Sequence, residues 1–236
     1  MRRDYRKWFS PSLGRDMELL VFGHAGLPIV VFPTSQARFY EFEDRNMVGT
    51  IADKIDRGEI QLFCVDSVDS ESWYNRGVGP DWRIARQVQY ENYIIHEAIP
   101  FVRGENWNPQ IATLGCSFGG YHALNFALRH PDIFTACLSM SGMFDMTFFL
   151  GGFYNNDVYM QTPTHYIPNQ HDGWYFDRYR GNTYILATGV HDQCWASNEE
   201  MGRILRDKGI PCRLDVWGDN TGHDWPWWQQ MMRAYL

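Results

Sequence analysis

Three short segments carry residue types that could do chemistry together. Residues 115–120 read Gly-Cys-Ser-Phe-Gly-Gly, a G-x-S-x-G pattern centred on Ser117. It follows the apolar run 110–114 (QIATL) directly and opens onto the helical pattern YHALNFALRH, so the serine falls on a strand–turn–helix junction. Flanking glycines let strand and helix approach there. The hydroxyl projects beyond the sheet edge, and the helix N-terminus offers backbone N–H groups to developing negative charge. That is the setting of a nucleophilic serine, which needs a base to take its proton and a carboxylate to orient the base. Cys116, in the first variable slot, should point away from such a site.

Eight histidines are present, and His165, His171, His191 and His223 lie well downstream of Ser117. His223 sits on a short loop after the apolar run 212–217 and before the last helical pattern, which makes it the expected base. The acid should follow the run 183–188, which leads into Gly189-Val190-His191-Asp192. Asp192 is the expected acid and Asp145 the second choice. Asp224 is too near His223 in sequence to orient its ring and suits the N-terminus of the final helix. His122, on the helix after Ser117, reads as packed or hydrogen-bonded, and His96 as remote. A tetrahedral oxyanion would need two backbone donors. The Phe118 N–H should be one. The other should come from Thr34-Ser35-Gln36-Ala37, with Gln36 ahead of Ser35.

The elements that must position these residues are legible as alternating patterns. Apolar runs at 17–22, 28–33, 60–65, 110–114, 135–140, 183–188 and 212–217 read as strands, several buried on both faces. Helical patterns span about 44–57, 81–98, 118–130, 197–208 and 225–235. Strands alternating with helices predict an α/β fold, a mainly parallel sheet with helices on both faces. His24-Ala25-Gly26, between the first two runs, reads as a hairpin turn. Residues 142–182 break the rhythm. This stretch is long, aromatic and weakly periodic, as expected of a pocket-forming insertion at the end of a strand.

The 236 residues suit a single domain over 1–236. At 44 % hydrophobic and 21 % charged, the chain can bury a sizeable core. A net charge of −7 and the lack of a basic cluster beyond Arg2, Arg3, Arg6 and Lys7 argue against nucleic acid, and that group reads as a solvated N-terminus. No uncharged apolar run reaches the ~18 residues of a membrane span, nor is there an apolar signal core, so a cytoplasmic location is expected. The five cysteines are odd in number without C-x-x-C spacing, which indicates neither a disulfide framework nor a zinc site. Metalloprotease, P-loop and Rossmann motifs are absent, so no metal and no cofactor is expected. Aromatics reach 16 %, with ten Trp. Phe144, Phe149, Trp174, Trp195 and Trp225 are candidates for the wall of an apolar pocket.

Taken together, these segments make the chain resemble the putative-esterase family of α/β hydrolases. That family includes S-formylglutathione hydrolases (esterase D), enterochelin esterases, feruloyl esterases and mycolyltransferases. The resemblance runs over nearly the whole chain. It rests on PIVVFPTSQARFYEFED, GCSFGGYHALNFALRHPDIF, LSMSGMFD, GVHDQC, KGIPCRLDVWG and GHDWPWW. It implies an α/β-hydrolase fold without a separate lid domain, and carries Ser, Asp and His onto Ser117, Asp192 and His223. Where several relatives have a Gly-rich oxyanion loop, this chain has Thr-Ser-Gln. The expected activity is cleavage of a carboxylic ester through an acyl-enzyme. An acyltransferase using the same residues and a non-catalytic binding protein are the alternatives. The expected partner is a small-molecule ester, and a homodimer is compatible with the sequence.

Overall fold

The continuously apolar runs become strands covered on both faces. In a computed structural model describing residues 1–236, eight strands form one sheet. They are β1 (Arg3–Ser10), β2 (Arg15–Phe22), β3 (Leu27–Phe32), β4 (Ile60–Val65), β5 (Ile111–Cys116), β6 (Phe134–Met140), β7 (Thr183–Gly189) and β8 (Arg213–Trp217). The spatial order is β1-β2-β4-β3-β5-β6-β7-β8. β1 pairs antiparallel with β2, β2 antiparallel with β4, and the remaining neighbours run parallel. All residues of β4 and β5 are buried. Side chains alternate between two cores with the period of two that a pleated strand imposes. On β3, Val30 and Phe32 enter one core while Ile29 and Val31 enter the other.

Helices supply the other half of each core. Three short ones, α1 (Glu41–Asp44), α2 (Met47–Thr50) and α3 (Ala52–Asp56), lead into β4. Next come α4 (Pro80–Tyr93), a π-helical turn at Ile94–Ala98 and α5 (Ile99–Glu105), then α6 (Phe118–Arg129) after β5. Between β6 and β7 lie a 3-10 turn at Thr147–Leu150 and the short helices α7 (Asn156–Met160), α8 (Pro163–Tyr166) and α9 (Gly173–Tyr179). α10 (Trp195–Asp207) follows β7 and α11 (Trp225–Tyr235) closes the chain. Tyr90, Tyr93, Leu124, Met201 and Leu205 pack one face of the sheet, and Met47, Ile51, Ile55, Trp228 and Met231 the other.

β2 and β3 do not form a hairpin, because β4 lies between them: Leu19–Phe22 pair with Val65–Leu62, and Leu27–Val31 with Ile60–Cys64. The hairpin in this region is β1–β2, closed by the Gly14 N–H on the Ser10 carbonyl. The basic N-terminal group therefore lies on an edge strand. Its charges are paired, Arg3 with Glu43 at 2.6 Å and Lys7 with Asp16 at 3.0 Å. The helix expected at 44–57 is broken into short pieces, with Asn46 in the left-handed region at φ 55. The helix expected at 81–98 continues to Glu105 through the π turn. Pro100 lacks the N–H that a regular α ladder would use, and the turn relaxes the ladder around it.

The segment 142–182 is tied down by buried polar contacts. Gln161 donates to Glu91 on α4 and accepts from Asn125 on α6 at 2.8 Å. Tyr121, also on α6, donates to the Gln161 carbonyl at 2.8 Å.

Candidate active site

Ser117 occupies the junction between β5 and α6 with φ 55 and ψ −121, a sparsely populated conformation for any residue but glycine. The flanking glycines are sterically required. A Cβ on Gly115 would lie 2.2 Å from the Gly119 carbonyl oxygen, and one on Gly119 would lie 2.3 Å from the Phe32 carbonyl oxygen. The Ser117 N–H is anchored on the Met140 carbonyl at 2.8 Å. The Phe118 N–H, at the start of α6, has no protein acceptor. Cys116 is buried, and burial pushes its thiol well up, which leaves it no thiolate character at the site.

The three residues expected to act together are brought together. His223 Nε2 lies 2.9 Å from Ser117 Oγ, and His223 Nδ1 lies 2.8 Å from Asp192 Oδ1. The loops that carry the last two are pinned to each other. The Val190 N–H donates to the Trp217 carbonyl at 2.9 Å, and the His191 N–H donates to the Thr221 carbonyl at 3.0 Å. Burial pushes the Asp192 carboxyl up, but hydrogen bonds from His223, Ser141 and the Cys194 N–H outweigh it and hold the carboxyl below its ordinary value. An ionised carboxylate only accepts. His223 therefore carries its proton on Nδ1 and leaves Nε2 free to accept from Ser117.

Around Ser117, the loop after β3 presents its donors unevenly. The Gln36 N–H, on a residue with φ 59, points at Asp69 Oδ2 at 3.3 Å, and the Ser35 N–H has no acceptor. The Ser35 hydroxyl accepts from Tyr74 at 2.9 Å. Beside this loop Phe149 packs on Phe118 and Tyr74, with ring centroids 5.5 and 5.1 Å apart. A groove of about 500 Å³ runs from Gln36 past Tyr40 to Arg45, and the Arg45 guanidinium lies 5.4 Å from the Trp225 ring.

Phe144 is fully buried in the main core and lines no open wall, because its chain turns inward after β6. Trp174 is on α9 with Arg178 stacked 3.7 Å from its ring, and Trp195 is exposed at the start of α10. Trp225 leans on Trp228 at 5.0 Å. Asp145 is exposed and caps Thr147, and Asp224 caps the Trp225 N–H at the start of α11. His122 is buried, its Nε2 2.9 Å from Asp69. Donor atoms of Asp192, Cys194 and His223 lie within 4.8 Å of one another. They suit a cation poorly, since His223 Nδ1 is taken by Asp192 and burial pushes the Cys194 thiol up to about 12.

The chain matches the family described as "Putative esterase" over residues 10–236. It belongs to this esterase family. No curated protein sequence matches the esterase. Among solved structures it is similar to a ferulic acid esterase, at 18 % identity and TM-score 0.79, covering 99 % of this chain and 95 % of that one. It is also similar to an S-formylglutathione hydrolase from Agrobacterium tumefaciens, at 14 % identity and TM-score 0.74, covering 99 % and 92 %. A fluorophosphonate-binding serine hydrolase of Staphylococcus aureus aligns at 15 % identity and TM-score 0.66, covering 99 % and 96 %. At these identities the likeness is one of fold, the α/β-hydrolase fold, and no separate lid domain is evident. No helix of the esterase is long and apolar enough to cross a membrane.

Sequence reasoning missed two side chains that touch the line. Ser141 donates to Asp192 Oδ2, and Trp228 donates to Ser141 Oγ at 2.8 Å. The sequence offers a weak signal for the first, a serine followed by Gly142 at the end of a strand, and none for the second.

Proposed function

We propose that the esterase is a serine carboxylic ester hydrolase working through Ser117, His223 and Asp192 and an acyl-enzyme intermediate. The observation that carries this reading is the unbroken line from Ser117 Oγ through both ring nitrogens of His223 to Asp192. His223 Nε2 takes the Ser117 proton as Oγ bonds to the ester carbonyl carbon. The carbonyl oxygen becomes an oxyanion held by backbone donors, one of them the Phe118 N–H. Collapse breaks the bond to the alcohol oxygen, and His223 hands that oxygen its proton. Water then attacks the acyl-enzyme, gives its proton to His223 and releases the acid as Ser117 regains its hydrogen. Asp192 stays ionised throughout, fixing the ring and stabilising the imidazolium.

The second donor comes from the 34–37 loop. The Ser35 N–H is unengaged while the Gln36 N–H is shared with Asp69, which ranks Ser35 first in this state. Phe149 and Tyr74, half-buried beside this loop with Phe118 packed behind them, favour an apolar acyl group. Phe149 rides on the 142–182 segment, which gives that insertion its pocket-forming role. The same proposal keeps residues 1–236 as one catalytic domain.

Replacement Ser117→Ala should cut turnover of p-nitrophenyl acetate roughly a millionfold, to near background. Near-normal hydrolysis by that variant would overturn the assignment.

A further inference from the structure

Two buried side chains touch the Ser117–His223–Asp192 line and take no part in the steps above. Ser141 stands immediately after β6, fully buried, in the left-handed region at φ 56, where glycine is the unstrained residue. Its N–H donates to the Ala187 carbonyl on β7 at 2.7 Å, which ties it to the strand leading to Asp192. Trp228 is on α11, buried, with its ring edge-on to His223 at 4.9 Å and 84°.

The hydrogen-bond chemistry of this pair has one direction. An indole N–H only donates, so Ser141 Oγ accepts from Trp228. A hydroxyl has a single hydrogen, and that hydrogen goes to Asp192 Oδ2. Asp192 Oδ1 is left to accept from the Cys194 N–H at 2.7 Å and from His223.

We propose that Ser141 and Trp228 are positioning residues for ester hydrolysis: Trp228 orients the Ser141 hydroxyl, and that hydroxyl fixes the Asp192 carboxylate so that its other oxygen faces His223. This inference rests on the reading of Ser117, His223 and Asp192 given above. The residue in the strained backbone conformation is the one whose hydroxyl completes the carboxylate's shell, which gives the strain a function. The titratable groups facing Asp192 are His223 and the Cys194 thiol, and burial keeps the thiol protonated. Without the Ser141 hydrogen, the buried Oδ2 loses its donor and the Asp192–His223 pair takes up a proton more readily. The acid limb of kcat/KM, which reports that coupled pair, then moves to higher pH.

The test uses the full chain, p-nitrophenyl acetate and the variants Ser141→Gly, Trp228→Phe and their combination, with thermal unfolding followed alongside. Glycine accepts φ 56, so Ser141→Gly removes the hydroxyl without adding backbone strain. Phenylalanine keeps an aromatic ring at this buried position and removes the indole donor, and thermal unfolding reads the cost of its smaller volume separately. Ser141→Gly should lower kcat about ten- to a hundredfold, leave KM within about twofold, and shift the acid limb upward. Trp228→Phe should do the same to a smaller extent. The double variant should be no worse than Ser141→Gly, since Trp228 acts through Ser141. Wild-type kcat and acid limb in Ser141→Gly would overturn the inference, as would losses that multiply in the double variant. Should Ser141→Gly fail to fold, Trp228→Phe with unchanged kcat and pH profile would overturn it equally. Absence of Ser117-dependent turnover in the wild-type chain would instead overturn the reading of the triad itself.

Discussion

Asp192 concentrates the energetics of the site in one buried carboxylate with donors on both oxygens. Its carboxyl is held below the ordinary value because those donors outweigh its desolvation. A carboxyl depressed in the folded state stabilises the fold above its unfolded-state value of about 3.9, and that contribution is lost as pH falls through the lower folded value. Thermal unfolding followed from pH 6 to pH 3 should therefore show a shallower acid loss in Asp192→Asn than in the wild type, confined to below about pH 4. Parallel acid slopes would contradict the assignment of this shift. At this scale the sequence was most legible where chemistry imposes local rules. The strand–turn–helix junction around Ser117 was readable because Gly115 and Gly119 leave no room for a Cβ. Ser141 was not, because its partners Asp192 and Trp228 lie 51 and 87 residues away in sequence.

Elements carry those residues to their places, and their pairing is where sequence pattern loses force. The run at 17–22 reads correctly as a strand, but nothing local says that β4 intervenes between it and β3. β1 was hidden by composition, since as an edge strand it alternates exposed and half-buried residues and carries charges that suit an unpaired edge. α6, α10 and α11 were readable within a residue or two because their apolar stripes and end signals agree. The 142–182 segment breaks the strand–helix rhythm in the sequence, but its contacts leave no local pattern there. Its anchor is Gln161, buried between Glu91 and Asn125. Gln161→Ala would leave both partners short of a hydrogen bond and should cost about 1–3 kcal/mol in urea unfolding. A loss under about 0.5 kcal/mol would show that the segment is held by its apolar contacts instead.

The whole molecule is a sheet whose strand ends deliver three separate loops to one point. β5 leads into Ser117, β7 leads to Asp192, and β8 leads to His223. Two cores, one on each face of the sheet, make that convergence rigid. The order of the three residues along the chain and the alternation of strands and helices were both present in the sequence. The register that brings Ser117 within 2.9 Å of His223 emerges only from the folded sheet. The most direct test is to treat the folded protein with a fluorophosphonate and map the modified peptide by mass spectrometry. One label per chain on Ser117, abolished in Ser117→Ala, is the expected result. A protein that hydrolyses esters yet carries no label, or carries it on another residue, would contradict the account.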